Sequence, residues 1–114
     1  MGVSLPILMR QTKEKNMFED VQGKGFSLTF QNGLTIYVWF GYGNFCQNNM
    51  MHYNRNVNLA NYELKSKDAE IAVWDESERC FKTDTFIDCE NNTVKGYLSA
   101  DEVADLINKV KNYN

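Results

Sequence analysis

Cysteine is too sparse in this chain to build a disulfide framework. Three thiols, an odd number, in 114 residues fit reduced side chains in a reducing compartment. No apolar run approaches the roughly 20 residues that a membrane-crossing helix needs. The opening MGVSLPILMRQ carries no basic residue ahead of its apolar run, so neither a signal peptide nor a membrane role is expected. It also fails the myristoylation pattern, because Pro6 stands where Ser or Thr is needed. Positive charge is short too. Twelve Lys and Arg against fifteen Asp and Glu leave a net charge of −3, which supplies no field for gathering phosphates, and direct nucleic-acid binding is not expected. There is no internal repeat. What remains is a chain with the 43% apolar and 24% charged content of an ordinary globule, read as one domain over 1–114.

The clearest structural signal lies at 26–40. Phe26, Leu28 and Phe30 alternate along one run, and Leu34, Ile36, Val38 and Phe40 along the next, as a strand's two-residue period demands. A three-residue loop, Gln31-Asn32-Gly33, pairs Phe30 with Leu34, Leu28 with Ile36 and Phe26 with Val38. It requires a left-handed residue at its end, which Gly33 supplies. A two-residue loop would mix apolar and polar partners, and a one-residue slip misaligns the buried face. The other face carries Ser27 and Thr29 against Tyr37 and Thr35, with Trp39 at its end, and reads as mixed and half exposed.

Ala69 to Asp75 (AEIAVWD) predicts a second central strand, returning through Cys80–Phe86 to complete a hairpin over 69–86. Val3–Met9 reads as an edge strand because of Pro6. Thr12–Val21 reads as one or two helical turns with Met17, Phe18 and Val21 inward, ended by Gly23. Leu59–Leu64 and Thr93-Val94 are candidates for short strands. At the C-terminus Ser99 and Glu102 form a capping box. Val103, Leu106, Ile107 and Val110 then make one apolar stripe over 100–112. The fold class is therefore α+β: an antiparallel sheet of four or five strands with a C-terminal helix packed on one face.

No motif dictates a reaction, and neither catalytic residues, metal ligands nor a cofactor are assigned. Gly41-x-Gly43 follows a strand as a dinucleotide fingerprint would, but Cys46 replaces the third glycine and no helix follows. Cys46 and His52 are the one plausible thiol–imidazole pair, without a third orienting group. Adding Cys80 and Cys89 gives four nominal zinc ligands that lack paired spacing. Carboxylates cluster at Asp75, Glu76 and Glu78, and again at Asp84, Asp88 and Glu90, where strand ends with solvated rims explain them as well as a metal does. Glu63-Leu64-Lys65 matches the end of a nuclease-type motif with no acidic partner strand.

Between the hairpins, 41–67 reads as an irregular insert rich in the fourteen asparagines of the chain and in aromatics. So long a connection is usually functional or mobile. Tyr and Trp combine apolar area with a polar tip, which suits recognition surfaces. The candidate contact residues are Trp39, Tyr42, Asn44, Phe45, His52, Tyr53 and Arg55, with the aromatics as anchors and the asparagines as adaptable hydrogen bonders.

QNGLTIYVWFGYGNFCQNN, AEIAVWDES and VKGYLSADEVADLINKV together resemble a group of small uncharacterised proteins of tailed bacteriophages. That group shares an NG hairpin, a GxGN-aromatic-Cys segment, an AEVAVWD-like strand and a GYLSxDEV helix start. The resemblance covers about two-thirds of the chain and leaves out 1–24 and 50–67. It implies an origin rather than a mechanism. The expectation is a non-enzymatic accessory protein of a phage or mobile element, in the host cytoplasm, that binds and inhibits a host factor such as a defence protein. The alternatives are a small-molecule or nucleotide-sequestering protein and a small hydrolase, and a homodimer by sheet extension is compatible with an N-terminal edge strand.

Overall fold

Residues 14–50, 64–89 and 91–114 are described by the computed structural model. Along them run β1 (Met17–Asp20), β2 (Gly25–Thr29), β3 (Leu34–Trp39), β4 (Ala69–Asp75), β5 (Cys80–Phe81), α1 (Thr83–Phe86), β6 (Lys95–Leu98) and α2 (Ala100–Lys111). The strands form one antiparallel sheet in the order β1-β2-β3-β4-β5, with β6 also paired to β4. With α2 packed against this sheet, the fold is α+β as the sequence implies.

The first hairpin adopts the three-residue loop. Phe26 faces Val38 and Leu28 faces Ile36 across the ladder. Phe30 donates to the Leu34 carbonyl at 2.9 Å and Gly33 to the Phe30 carbonyl at 3.0 Å, with Gly33 at φ +87°. A side chain on that glycine would be forced into the left-handed region that L-residues disfavour. The register sends Leu34, Ile36 and Val38 to one face, where Ile71 and Val73 of β4 and Val103, Leu106 and Val110 of α2 complete the core with Leu98. Each such side chain contributes about 1.5–3 kcal/mol on burial.

α2 is fixed at both ends. Ser99 Oγ accepts the Glu102 N–H and the Glu102 carboxylate accepts the Ser99 N–H, satisfying two of the donors that a helix start leaves unpaired. At the far end the Asn32 amide, from the hairpin loop, donates to the carbonyls of Val110 at 2.8 Å and Tyr113 at 3.0 Å. Its Oδ1 accepts the Leu34 N–H at 3.0 Å. One turn residue thus ties the hairpin to the helix.

Four expectations are corrected. Met17–Asp20 is an exposed strand on β2, not part of a helix. A helix so short is marginal by itself, whereas β2 offers a full ladder, and the left-handed backbones of Asn16, Gln22 and Gly23 bracket the strand. Phe18 points outward at 79% exposure. The return strand pairs only at Cys80 and Phe81. Beyond it the Thr83 hydroxyl, not a backbone carbonyl, accepts the Val73 N–H at 2.9 Å, so the ladder stops and α1 begins. A strand forms at Lys95–Leu98 rather than at Thr93-Val94. Finally, the second hairpin face is buried: Ser27, Thr29 and Thr35 are nearly inaccessible, with the two threonine hydroxyls hydrogen-bonded at 2.8 Å. Across the ladder Ser27 faces Tyr37 and Thr35 faces Trp74, so large rings stand beside these short side chains. The strand read at Val3–Met9 and all but the last residue of that at Leu59–Leu64 lie outside the described residues. Among the described residues no helix is long and apolar enough to cross a membrane.

Candidate interaction surface

After β3 the chain winds into a tight knot, Phe40–Met50, built largely by asparagine. Asn side chains imitate a backbone turn by bonding main-chain groups nearby, and here three do so. Asn44 Oδ1 accepts the Gly41 N–H at 3.1 Å. The Asn48 amide donates to the carbonyls of Phe40 at 2.7 Å and Lys65 at 2.8 Å, and the Asn49 amide to that of Asn44 at 2.8 Å. Besides the Asn48–Lys65 bond, two more fasten the knot to the segment before β4: Gln47 N–H to Asp68 Oδ1 at 2.6 Å and Lys67 N–H to Gln47 Oε1 at 2.8 Å. The asparagines bond inward. Asn44 in particular is half buried, with its amide 3.4 Å from the Glu70 carboxylate.

Glu70 organises the site. It lies in β4 between Ala69 and Ile71, opposite Trp39 in the ladder, and is only 7% exposed. A buried carboxylate needs hydrogen-bond donors, and it takes them from the knot: the Phe45 N–H at 3.1 Å and the Asn44 amide. The Phe45 carbonyl is held from the other side by the Tyr97 N–H at 2.9 Å. Both polar groups of the Phe45 backbone are therefore bound, while the residue remains 49% exposed.

Tyr97 has the least expected backbone in the sheet. It sits in β6, where the pairing with β4 is irregular, at φ +60°. Among the described residues the four other non-glycine residues with positive φ are Asn16, Gln22, Arg79 and Asn92, all outside the strands. Gly96 beside it permits the close approach, since a Cβ there would fall 2.4 Å from Phe45 Cβ. Tyr97 is 59% exposed and Tyr42, in the knot, 48%.

Of the candidate residues, Trp39, Tyr42, Asn44 and Phe45 are brought to one region. Trp39 is half buried and stacks on Tyr37 with centroids 5.1 Å apart. His52, Tyr53 and Arg55 lie outside the described residues. Two participants were missed by the sequence reading, Glu70 and Tyr97. A carboxylate inside the run AEIAVWD was a usable signal, because a strand apolar on both faces buries whatever it contains. Tyr97 left none, since its exposure depends on a bulge.

Several of the chemistry-bearing residues are engaged in structure. Cys46 is buried, with its thiol 3.6 Å from the Gly41 carbonyl, and all three cysteines are free. Asp75 accepts the Ser77 hydroxyl at 2.7 Å and the Ser77 N–H at 2.9 Å. The Ser77 hydroxyl is the chief reason its carboxyl is held below the ordinary range. Lys82 pairs with Glu78 and reaches Asp75 at 3.8 Å. Among the described residues no three His, Cys, Asp or Glu side chains form a metal-sized cluster. No protein-family model, curated protein or solved structure matches this chain.

Proposed function

We propose that this protein works by capturing a partner protein on the rings of Tyr42, Phe45 and Tyr97, without catalysing a reaction. The observation that carries this reading is Tyr97. A left-handed tyrosine costs about 1–2 kcal/mol relative to an ordinary backbone, and a ring left 59% exposed recovers little of that by burial. Backbone strain retained with little return from burial of the side chain is of the kind that collects at functional places.

The neighbouring geometry supports the same reading. Phe45 is bonded on both sides of its backbone, so its ring is presented by an ordered loop and little entropy is lost on docking. Exposed aromatics on such a frame match the residues that dominate binding energy at protein interfaces. The resemblance to small phage proteins makes a host factor in the host cytoplasm the expected partner, inhibited by occlusion.

The test compares the parent with a Tyr42→Ala/Phe45→Ala variant. Immobilised parent protein should retain a defined host protein that the folded double variant loses by at least tenfold. Equal retention by both refutes the reading.

A further inference from the structure

Of the fourteen asparagines in the chain, only Asn32 is followed by glycine. Asparagine is among the thermolabile residues, and a following glycine has no Cβ to shield its nitrogen from the neighbouring carboxamide. In that reaction the Gly33 nitrogen, deprotonated by hydroxide, attacks Asn32 Cγ. The N–Cγ bond forms, the Cγ–Nδ2 bond breaks, and ammonia leaves with a proton taken from water. The product is a five-membered succinimide, which water then opens at either carbonyl carbon. Opening at Cγ leaves aspartate. Opening at the main-chain carbonyl leaves isoaspartate, with the chain running through the former side chain.

Asn32 is exposed, so burial does not keep water and base away from it. The restraint is hydrogen bonding at each group the reaction uses. The nucleophile is engaged, because the Gly33 N–H donates to the Phe30 carbonyl at 3.0 Å. The leaving group is engaged too. Nδ2 donates to the carbonyls of Val110 at 2.8 Å and Tyr113 at 3.0 Å, with that of Lys111 at 3.4 Å. The carboxamide oxygen accepts the Leu34 N–H at 3.0 Å. Closing the ring requires the Asn32–Gly33 backbone to rotate out of its turn, which breaks these bonds together. An unfolded chain has none of these restraints.

We propose that Asn32 is a fold-gated deamidation site. The native turn keeps it intact, and the unfolded chain converts it to aspartate or isoaspartate, neither of which rebuilds the tie to α2. A carboxylate offers no donor to the Val110 and Tyr113 carbonyls and is repelled by the negative end of the helix. Isoaspartate also lengthens by one atom a loop whose length sets the register of β2 on β3. Unfolding thereby becomes one-way, through chemical change of the unfolded chain. The site uses none of the rings of Tyr42, Phe45 and Tyr97, so its failure and that of partner capture are separate results.

The test follows the full chain through its guanidinium transition in mildly alkaline buffer. Tryptophan fluorescence gives the unfolded fraction, and fragment-ion mass spectrometry of the same samples gives deamidation at residue 32. The rate there should rise with the unfolded fraction and be at least tenfold higher in the unfolded chain than in the folded one. A rate that stays level through the transition overturns the gate. Ion exchange in fresh urea then separates chains carrying the extra negative charge, and those modified at residue 32 are returned to buffer beside the intact fraction. They should unfold at a lower guanidinium concentration than the intact chains, or fail to refold. A midpoint equal to that of the intact chains overturns the one-way step.

Discussion

Glu70 accepts the backbone N–H of Phe45 at 3.1 Å, so a buried charge in the sheet positions a residue whose ring stands in solvent. Removing that acceptor in Glu70→Ala leaves the Phe45 N–H and the Asn44 amide without it. The expected loss is about 1–3 kcal/mol, the range for orphaning buried polar groups. Glu70→Gln keeps one oxygen for Phe45 and should lose less. Amide hydrogen exchange checks this: Phe45 should exchange at least tenfold faster in the alanine variant, with the amides of β3 unchanged. Uniform acceleration across the sheet would show that Glu70 supports the core as a whole.

Asn32 gives a second expectation. Its amide donates to carbonyls at the end of α2, and Asn32→Ala should lower stability by about 1–2 kcal/mol, as loss of a cap typically does. Asn32→Asp should be at least as damaging near neutral pH, because a carboxylate cannot donate and is repelled by the negative end of the helix. Urea unfolding of the three proteins measures both differences.

Gly96→Ala places a methyl 2.4 Å from Phe45 Cβ and 2.9 Å from the Phe45 carbonyl oxygen. One of the two segments must shift, at about 1–3 kcal/mol for overpacking, and the bond from the Tyr97 N–H is the casualty. Denaturation should show that loss, and partner capture should fall with it. A variant as stable and as active as the parent contradicts the close packing described.

Acid should weaken the capping box. The Ser99 N–H, and after it the Ser99 hydroxyl, holds the Glu102 carboxyl below its ordinary value of 4.5. A carboxylate with a depressed folded pKa binds fewer protons folded than unfolded. Its contribution is full above the unfolded value and disappears as pH falls through the folded one. Asp75 behaves alike, below its ordinary 3.8. Glu102→Gln has no such titration, so the parent should lose more thermal stability than this variant between about pH 7 and pH 3. Parallel curves would remove Glu102 from the acid response.

The features legible in the sequence were local and periodic. Gly33 determined the register of the first hairpin, Ser99 and Glu102 marked the start of α2, and AEIAVWD coincided with β4 residue for residue. What escaped depended on distant partners. Met17–Asp20 has two apolar residues and becomes a strand because β2 is there to receive it. Thr83 ends a ladder with its hydroxyl, a choice that no propensity records. Asn44 reads from the sequence as a hydrogen bonder for a partner, yet whether an amide satisfies its own loop or a ligand is decided by the backbone path around it. Glu70 is the exception, because a carboxylate inside the apolar run AEIAVWD signals burial.

The central claim is that the rings of Phe45 and Tyr97 are held out for a partner and are not part of the core. Urea denaturation of Phe45→Ser/Tyr97→Gly against the parent tests it most directly. Glycine relieves the left-handed backbone, so the double variant should match the parent to within about 0.5 kcal/mol or exceed it, the usual range for surface positions. A loss of more than about 2 kcal/mol, the signature of truncated core residues, would contradict the account.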